Sequence, residues 1–399
     1  MSYKFSDRLS RILPSATLEM TAKAAELKRE NKPVYNMSVG EPDFPTPENI
    51  QNAGIHAIKN GITKYTPGLG THDLKLAIQL KLKRDNNLSY NINEIAVSCG
   101  GKHSLYNACQ VLFQDGDEVI IFSPYWVSFP DFVSVTGAKP VFVQTNSKKQ
   151  FEPKFDDLIK KINKNTKGII INSPSNPTGG VWSDKAIYKT LEICKKHDLW
   201  IFSDECYEQL TYDIPFKSLA SLDPQNKKII TFQSCSKTYS MTGWRIGYLA
   251  GDKSFVSQVG KLQGQSTSCP NSIAQHAAIE ALSGSQESVV KMKNIFLKRR
   301  DLILDLLNNM PHVECEIPFG AFYVFPNFEH YIGRKTLNGT TIQNSKDLCL
   351  YFLSETGVVS VDGDSFGAPN YVRFSYATSE SVIEEAMDLI FKSLKKLSF

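Results

Sequence analysis

One segment, Ser234–Tyr248 (SCSKTYSMTGWRIGY), gathers residue types that could react with a carbonyl group and hold an anion. Its only lysine, Lys237, stands among small hydroxyl residues, and Arg245 follows eight positions later. A neutral lysine amine is a nucleophile toward carbonyl carbon, and hydroxyl and guanidinium groups match phosphate oxygens. Ser234 or Ser236 alone is more often structural, but beside Lys237 and Arg245 the pair favours a phosphate site.

A pair of glycines offers a second anion-binding feature. Gly100-Gly101-Lys102 follows a predicted strand and opens the helical segment HSLYNACQVLF. Glycines at a helix start let backbone N–H groups approach a phosphate, which the helix dipole also favours. A plain tight turn is the alternative. The nucleotide-binding pattern GxxxxGK(S/T) is absent, and no GxGxxG follows a strand.

Four further residues could serve a charged aromatic ligand. Asp204 follows the apolar run WIFS, where a carboxylate is costly unless a cation meets it; a helix cap or a structural ion pair is the alternative. Tyr207 could donate to a ring oxygen, or pack in the core with a hydrated hydroxyl. Asn176 offers an amide on a proline-fixed loop, or is a turn asparagine. Trp126 could stack on a flat ring, or belong to the core.

A lysine amine, a phosphate site, an aspartate for a protonated ring nitrogen and donors for a ring oxygen together describe pyridoxal 5′-phosphate (PLP). In PLP chemistry the lysine holds the cofactor aldehyde as a Schiff base, an electron sink that stabilises a carbanion. The lysine attacks only when neutral, so its pKa must fall from about 10.4. Partial burial and the cationic Arg245 are expected to lower the pKa of Lys237.

The chain resembles the class I aminotransferases of PLP fold type I, and most of all their bacterial aspartate aminotransferase subgroup, some of whose members also act on prephenate. The matching segments, in family order from residue 14 to residue 380, are PSAT, VGEPDFPTPENI, TKYTPGLG, GGK, SPYWVSFP, NSPSNPTGG, SDECYE, SCSKTYSMTGWRIGY, GAFYVFP and RFSYATSE. The resemblance implies an α/β fold, with a large domain built on a mainly parallel mixed sheet and a smaller α/β domain formed from both chain ends.

The resemblance also implies roles for individual residues. Lys237 would be the Schiff-base lysine and the base that moves a proton between the substrate α-carbon and the cofactor. Asp204 would keep the pyridine nitrogen protonated. The other cofactor contacts would be Tyr207 and Asn176 at the ring oxygen, Trp126 on the ring, and Gly101, Lys102, Ser234, Ser236 and Arg245 at the phosphate.

Substrate binding and assembly follow from the same resemblance. Arg373 would bind the substrate α-carboxylate, aided by Asn176 and the backbone of Gly40; taken alone, it could be an edge-strand ion pair. Trp126 would lie against the substrate as well as the cofactor ring. Tyr65, otherwise a loop aromatic, would reach the phosphate of the neighbouring subunit. A homodimer with shared active sites is therefore expected.

The second substrate group decides the specificity. Lys102, Ser15 and Thr17 occupy the positions that this subgroup uses for a distal carboxylate. We therefore expect transfer of the amino group from aspartate to 2-oxoglutarate, with prephenate or an aromatic or neutral amino acid as the alternative. A β-lyase on the same fold is a further alternative. Leu13 stands where members active on prephenate tend to have lysine, and Asp362-Gly363 replaces Pro-Gly; Asp362 could repel dicarboxylates or simply face water.

Alternating strands and helices must position these residues. Unbroken apolar runs predict buried parallel strands near 95–98, 118–122, 168–172, 199–203 and 228–233, each ending in a loop with candidate site residues. Ligands of such sheets bind beyond the carboxyl ends of the strands. Ser183 is predicted to cap a helix, and a long amphipathic helix is predicted after Gly284.

Composition sets the outer limits. A chain of 399 residues favours two domains, here a large PLP-binding domain at 46–299 and a small domain from 1–45 and 300–399. The net charge of +4 is too small to indicate nucleic acid or an acidic membrane. The eight cysteines form no zinc pattern and favour a reducing compartment. No signal peptide or membrane segment is recognised, so a soluble cytoplasmic enzyme without a metal is expected.

Overall fold

The computed structural model describes residues 3, 5–12, 22, 24–27, 29–30 and 33–398 of the chain. None of the helices in that part of the chain is both long and apolar enough to cross a membrane. The strands are β1 (Tyr35–Asn36), β2 (Ile95–Ser98), β3 (Glu118–Ser123), β4 (Lys139–Asn146), β5 (Glu152–Pro153), β6 (Thr166–Asn172), β7 (Trp200–Asp204), β8 (Ile229–Ser234), β9 (Gly247–Ala250), β10 (Tyr323–Val324), β11 (Val358–Val359), β12 (Val361–Asp362) and β13 (Val372–Ser375).

The helices surround these strands. They are α1 (Glu48–Lys59), α2 (His72–Asn86), α3 (Gly101–Leu112), α4 (Ser128–Ser134), α5 (Phe155–Lys161), α6 (Asp184–Lys196), α7 (Leu219–Leu222), α8 (Cys235–Thr238), α9 (Lys253–Ser266), α10 (Ser272–Ser283), α11 (Glu287–Asn308), α12 (Ser345–Thr356) and α13 (Glu380–Leu394). Short 3₁₀ turns occur at Asp7–Arg11, Ile92–Glu94, Ser147–Lys149, Thr242–Trp244, Glu329–Tyr331 and Asp364–Phe366. Most described residues between 22 and 29 are also helical.

An eight-stranded mixed sheet forms the centre, in the order β2-β9-β8-β7-β6-β3-β4-β5. Strands β8, β7, β6, β3 and β4 pair in parallel. Strand β9 is antiparallel to both β2 and β8, and β5 is antiparallel to β4. The mainly parallel mixed sheet expected from the sequence is confirmed, and the carboxyl ends of β6, β7 and β8 lie side by side.

Both faces of this sheet are buried, which explains the unbroken apolar runs. In β6, Ile169 and Ile171 pack on one face, while Ile170 packs on the other. Ile201 and Phe202 divide in the same way in β7. Because successive side chains of a strand point to opposite faces, a strand covered on both sides needs an apolar residue at every position.

A second core lies in the C-terminal part of the chain. Strands β10, β13 and β12 form an antiparallel sheet, and β1 pairs in parallel with β11. Helices α11, α12 and α13 pack around them. Pairing of β1 brings residues 35–36 of the N-terminal part into this unit. Helix α11 connects the two cores, because Val289 belongs to the first and Met292 to the second.

The predicted elements agree with the observed ones. The strand predicted at 95–98 coincides with β2, and the other four overlap β3, β6, β7 and β8 with end differences of one or two residues. The Ser183 side chain caps α6 by accepting a hydrogen bond from the Ala186 N–H. The long helix predicted after Gly284 is α11, with 22 residues.

Candidate active site

A cavity of about 520 Å³ lies at the carboxyl ends of the parallel strands and is lined from both cores. Asn172, Asp204 and Ser234, the last residues of β6, β7 and β8, contribute to its lining. Most of the residues singled out in the sequence meet there, namely Gly40, Gly101, Lys102, Trp126, Asn176, Asp204, Tyr207, Ser234, Ser236, Lys237, Arg245 and Arg373.

Of the other predicted site residues, only Tyr65 is described, and it does not line this cavity. Tyr65 is 90% exposed on the connection between α1 and α2. Ser15 and Thr17, expected near the substrate side chain, lie outside the described residues, as does Leu13. The cavity therefore unites Arg373 with the predicted cofactor residues other than Tyr65.

Lys237 projects from α8, the short helix directly after β8. Its Nζ donates a hydrogen bond to the carbonyl of Gly40, which comes from the N-terminal part of the chain. Burial lowers the pKa of Lys237, and the cations Arg245 and Arg373 lower it further, against the opposing effect of Cys206 and Glu41. The direction is the one expected from the sequence, with burial as the largest cause. A lowered pKa increases the fraction of neutral, nucleophilic amine.

Asp204 is a buried carboxyl group without an ion-pair partner among the described residues. Only 5% of its surface is exposed, and burial raises its pKa to about 7. Its carboxylate accepts a hydrogen bond from the Cys206 N–H at 3.3 Å. Such a group lacks a cation, and a protonated ring nitrogen in the cavity would supply one.

The Asn172 side chain fixes the chain around Asp204. Its Nδ2 donates to the Asp204 carbonyl at 3.1 Å, and its Oδ1 accepts from the Asn176 N–H at 2.8 Å. One amide thus connects the end of β7 to the loop that carries Asn176. Sequence reasoning missed Asn172, although the signal was present: it ends the same apolar run, GIIIN, that precedes the NSPSNPTGG loop.

The predicted anion-binding residues lie together at one end of the cavity. The Ser234 hydroxyl donates to the Ser236 hydroxyl at 2.8 Å and accepts from the Ser236 N–H at 3.1 Å. Arg245 is held by the carbonyls of Thr242 at 2.8 Å and Cys99 at 3.4 Å. These contacts orient hydroxyl and guanidinium donors toward one place, as an oxyanion requires.

Glycine residues, which lack a side chain, make room for this arrangement. A Cβ on Gly247 would lie 2.1 Å from the Gly101 nitrogen, where α3 begins. Gly100, the N-cap of α3, has φ = +91°, and a Cβ there would meet the Arg245 guanidinium at 2.4 Å. The glycines therefore bring a helix N-terminus and an arginine to the same point, which fits a bound phosphate.

Trp126 and Lys102 form one wall of the cavity. The Lys102 Nζ lies 5.0 Å from the centre of the Trp126 ring. Phe129 and Phe132 support that ring by edge-to-face contacts at 5.4 and 5.8 Å between ring centroids. Burial lowers the pKa of Lys102, as does Arg245. A cation over a fixed aromatic plane can meet an anionic group at this wall.

Arg373, in β13, is a buried cation without a carboxylate partner among the described residues. It is 3% exposed, and its Nε has no hydrogen-bond partner in the part of the chain that the structure describes. Its Nη1 donates to the Asn176 side chain at 2.8 Å, and its Nη2 donates to the Ser38 carbonyl at 2.6 Å. The edge-strand ion pair considered for it is thus not observed. A buried charge of this kind is costly unless a ligand supplies the opposite charge.

Tyr323 is a cavity residue that sequence reasoning did not single out. Its hydroxyl lies 2.8 Å from the Tyr207 hydroxyl, and its ring centre lies 4.6 Å from the Arg373 guanidinium. It belongs to the quoted segment GAFYVFP, but a tyrosine in an aromatic run is usually core. Only its position beside Tyr207 and Arg373 indicates that it belongs to the candidate site.

Asp362 neither faces water nor lines the cavity. It is 5% exposed, and its Oδ1 accepts hydrogen bonds from both the backbone N–H and the hydroxyl of Ser365 at 2.9 Å. Neither effect considered for it from the sequence is observed. Its carboxylate instead stabilises the turn between β12 and the 3₁₀ segment Asp364–Phe366.

A lysine with lowered pKa, close to a buried arginine that lacks a counter-ion, is suited to substrates that carry both a carboxylate and an amino or carbonyl group. Comparison with known proteins identifies the family of enzymes concerned. The chain belongs to the class I and II aminotransferases, whose family model matches residues 32–390. It is therefore a transferase of the aminotransferase group.

Individual relatives span nearly the full chain. It is 44% identical to a Rickettsia conorii protein named "Probable aspartate/prephenate aminotransferase", over 98% of both chains. It is 39% identical to the aspartate aminotransferase of Rhizobium meliloti, over 98% of this chain and 97% of that one.

Solved structures agree with this. The aspartate aminotransferase structure from Rhizobium meliloti superposes with a TM-score of 0.96 at 39% identity, over all of both chains. The Thermus thermophilus enzyme with maleate gives 0.92 at 35% identity, over 98% of this chain and 100% of that one. The expected fold, PLP-dependent transferase fold type I, is thereby confirmed.

Proposed function

We propose that the chain is a PLP-dependent aspartate aminotransferase. It would transfer the amino group reversibly between L-aspartate and 2-oxoglutarate, giving oxaloacetate and L-glutamate. The observation that carries the proposal is the uncompensated Arg373, because it shares one cavity with Lys237, Asp204 and Lys102. Arg373 and Lys102 offer one cation to each carboxylate of a dicarboxylic amino acid. Lys237 offers the amine that reacts with a carbonyl group.

The residues present fit PLP. Bound there, PLP would carry the amino group between the two substrates and withdraw electrons from the substrate α-carbon. Its phosphate would lie at Gly101, Ser234, Ser236 and Arg245, which surround a space that any Cβ on Gly247 would close. Lys102 would add positive charge beside that phosphate.

The ring would be held by residues from three loops. Asp204 would face the ring nitrogen. Burial raises the pKa of this carboxyl group, and a protonated nitrogen beside it would favour its ionised form. Asn176 has a side-chain N–H₂ left to donate, since its Oδ1 already accepts from Arg373. Together with Tyr207 it would donate to the ring oxygen, while Trp126 stacks on the ring face.

Lys237 would be both the attachment point and the base. Its lowered pKa keeps part of the amine neutral, so Nζ can take the proton from the α-carbon of the amino acid. The Gly40 carbonyl accepts a hydrogen bond from Nζ and orients it. Arg373, aided by Asn176, would hold the α-carboxylate at a fixed distance from Nζ, which converts proton transfer into an intramolecular step.

Lys102 would bind the second carboxylate. The Thermus thermophilus relative was solved with maleate, a dicarboxylate. In this chain the Lys102 Nζ already lies over Trp126, across a cavity that also contains Arg373. Ser15 and Thr17 are proposed to add donors to the same carboxylate.

Single-turnover kinetics with aspartate, glutamate, phenylalanine and arogenate test the proposed specificity. We expect aspartate and glutamate to convert the PLP form fastest. Lys102→Met keeps the methylene chain over Trp126 and removes the charge. The second-order rate constant for conversion of the PLP form should therefore fall about 100-fold with aspartate and only a few-fold with phenylalanine.

The control is Lys139→Ala, which removes an exposed lysine of β4 and should change neither rate. Equal losses for aspartate and phenylalanine in Lys102→Met would overturn the assignment of Lys102. Slow conversion by both dicarboxylic donors in the unaltered enzyme would overturn the specificity itself.

Prephenate is the second candidate substrate. Its support is the name of the Rickettsia relative, which covers both aspartate and prephenate. Prephenate also carries two carboxylates, so Arg373 and Lys102 suit it in principle. Rapid conversion of the PLP form by arogenate, the product of prephenate amination, would favour this activity.

The assembly and the domain division belong to the same proposal. We propose a homodimer in which the exposed Tyr65 completes the phosphate site of the partner. The proposed domains are 46–299 and 1–45 with 300–399, supported by the change of core along α11. All eight cysteines are free thiols, which supports the proposed cytoplasmic location.

A further inference from the structure

Tyr323 contacts three parts of the candidate active site at once. Its hydroxyl shares a 2.8 Å hydrogen bond with Tyr207, and its ring lies under the Arg373 guanidinium at 4.6 Å. A Cβ on Gly40 would lie 3.0 Å from the same hydroxyl, and the Gly40 carbonyl accepts from Lys237.

The packing around Tyr323 leaves it little freedom. The side chain is fully buried, and Phe322 and Tyr207 enclose its ring at 4.8 and 5.8 Å between centroids. A buried hydroxyl needs a partner, and for Tyr323 that partner is Tyr207. The contact is therefore a fixed part of the site.

We propose that Tyr323 is a positioning residue that strengthens the Tyr207 hydroxyl as a donor and holds the Arg373 guanidinium flat for a substrate carboxylate. This inference rests on the proposed function, because Tyr207 must donate to the ring oxygen of PLP. Tyr207 then accepts from Tyr323, and a hydroxyl that accepts one hydrogen bond donates a stronger one.

The consequence concerns the proton on the Lys237 nitrogen beside that ring oxygen. A strong donor on the oxygen reduces its negative charge, so the proton is held less tightly. Without the Tyr323 hydroxyl the donor weakens, and the proton should persist to higher pH. The charged or titratable groups that line the cavity around Lys237 or act on its charge are Glu41, Lys102, Asp204, Cys206, Tyr207, Arg245 and Arg373, besides Tyr323 itself. A Tyr323→Phe replacement changes none of them.

Two variants separate the roles of the hydroxyl and the ring. In Tyr323→Phe, the pH midpoint of the visible absorbance of bound PLP should rise by about 0.5 unit, because one cooperative neutral hydrogen bond is lost. The dissociation constant of maleate should stay within about 2-fold, because the ring under Arg373 remains. In Tyr323→Met the same midpoint shift should be joined by about 10-fold weaker maleate binding.

Tyr212→Phe is the matched control. The Tyr212 hydroxyl donates to the Ala321 carbonyl two residues from Tyr323, but Tyr212 does not line the cavity. It should leave both the absorbance midpoint and the maleate affinity unchanged. A shift equal to that of Tyr323→Phe would show general loosening of this segment and overturn the inference.

The remaining outcomes are also decisive. An unchanged midpoint in Tyr323→Phe overturns the role of the hydroxyl, and equal maleate affinity in Tyr323→Phe and Tyr323→Met overturns the role of the ring. If Tyr323→Met does not fold, Tyr323→Leu takes its place in the maleate comparison. Failure of the proposed function is distinguishable: without PLP binding the unaltered protein would show no PLP absorbance and no labelling of Lys237 by borohydride, and with another specificity it would convert aspartate and glutamate slowly.

Discussion

Two buried charged groups, Arg373 and Asp204, define the candidate site at the scale of single residues. Each lies almost completely out of water, and neither has an ion-pair partner among the described residues. An unpaired buried charge costs several kcal/mol, so a ligand of opposite charge would stabilise each group. Arg373 requires an anion and Asp204 requires a cation, which are the charges of a substrate carboxylate and a protonated pyridine.

Asp204 gives a testable dependence of stability on pH. In the cofactor-free protein its pKa is about 7, whereas in the unfolded chain it is near 3.9. Between these values the folded protein holds a proton that the unfolded chain releases, so the free energy of unfolding falls as pH rises. Asp204→Asn cannot ionise. Its free energy of unfolding should therefore gain about 4 kcal/mol over that of the unaltered protein between pH 4 and pH 8.

Denaturant unfolding of both cofactor-free proteins at a series of pH values measures this difference. Saturating PLP should remove the gain, because the ring cation pairs with the ionised Asp204 but not with asparagine. A difference between the two proteins that stays constant from pH 4 to pH 8 would contradict the account.

The sequence pointed to residues of one cavity where the residue type itself suggests chemistry. Lys237 stands among hydroxyl residues and Asp204 follows an apolar run, so both could be singled out without coordinates, whereas Arg373 was assigned its role through the family resemblance. Tyr323 could not be found in this way, and Asn172 was signalled only by its place at the end of the run GIIIN. An aromatic residue in GAFYVFP and an asparagine at a strand end are ordinary, and only the positions of Tyr207 and Asp204 beside them reveal their roles.

Strand ends are what bring the site together at the scale of elements. Two residues next to the cavity residues in sequence, Gln233 and Glu208, are held by hydrogen bonds outside the cavity. Gln233 directly precedes Ser234, and Glu208 directly follows Tyr207. Both are hydrogen-bonded to the buried amine of Lys81 in α2, the Gln233 contact being 2.7 Å. This buried cluster holds the ends of β7 and β8 in fixed relation, so the cavity side chains start from a rigid base.

Gly247 in β9 provides a test of the phosphate site. It lies opposite both Ser98 of β2 and Ser234 of β8, and a Cβ there would meet the Gly101 nitrogen at 2.1 Å. Gly247→Ala should therefore displace the start of α3 and raise the dissociation constant of PLP at least about 10-fold, as expected for loss of one or two charge-assisted hydrogen bonds.

The control is Gly243→Ala in the same segment. A Cβ on Gly243 meets nothing within 4 Å, so the PLP dissociation constant should stay close to that of the unaltered protein. Fluorescence titration of the two cofactor-free variants with PLP measures both. Equal affinities in Gly247→Ala and Gly243→Ala would refute the proposed phosphate position.

The elements of the large sheet were predictable to the extent that their residues are buried on both faces. β4 and β9 are absent from the predicted strands for physical reasons. β4 begins with Lys139 and Pro140 and is only partly buried, so it lacks an unbroken apolar run. β9 has four residues, begins with Gly247, and is antiparallel, so it is read more readily as the end of the TGWRIGY loop.

The site depends on both cores at the scale of the whole molecule. Asp204 ends a strand of the large sheet and Lys237 lies in the helix that follows the next strand, whereas Arg373 and Tyr323 come from the second unit. The contact between Arg373 and Asn176 joins the two, at 2.8 Å across a sequence separation of 197 residues. No local sequence pattern predicts such a contact. The expectation that Arg373 and Asn176 act on the same carboxylate came only from the family resemblance.

The proposed dimer predicts complementation between two damaged chains. If Tyr65 serves the partner's site, a hybrid of a Tyr65→Ala chain and a Lys237→Ala chain contains one site with both Lys237 and Tyr65 intact. Mixing equal amounts of the two after subunit exchange should restore roughly a quarter of the unaltered activity at limiting PLP, given one intact site in the half of the dimers that are hybrids.

Each variant refolded alone serves as the control for this mixture, and sedimentation establishes that hybrids form. Activity of the mixture equal to the mean of the two controls, with hybrids present, would show that Tyr65 does not act across subunits. The division of the site between partners would then be wrong, although the site within one chain would stand.

The most direct test concerns Lys237. The protein is purified with PLP, reduced with borohydride so that the cofactor carbon becomes permanently bonded to the lysine nitrogen, digested, and mapped by mass spectrometry. The account predicts one phosphopyridoxyl group per chain, on Lys237, and none in Lys237→Ala. A protein that binds no cofactor, or a label on another lysine, would contradict it.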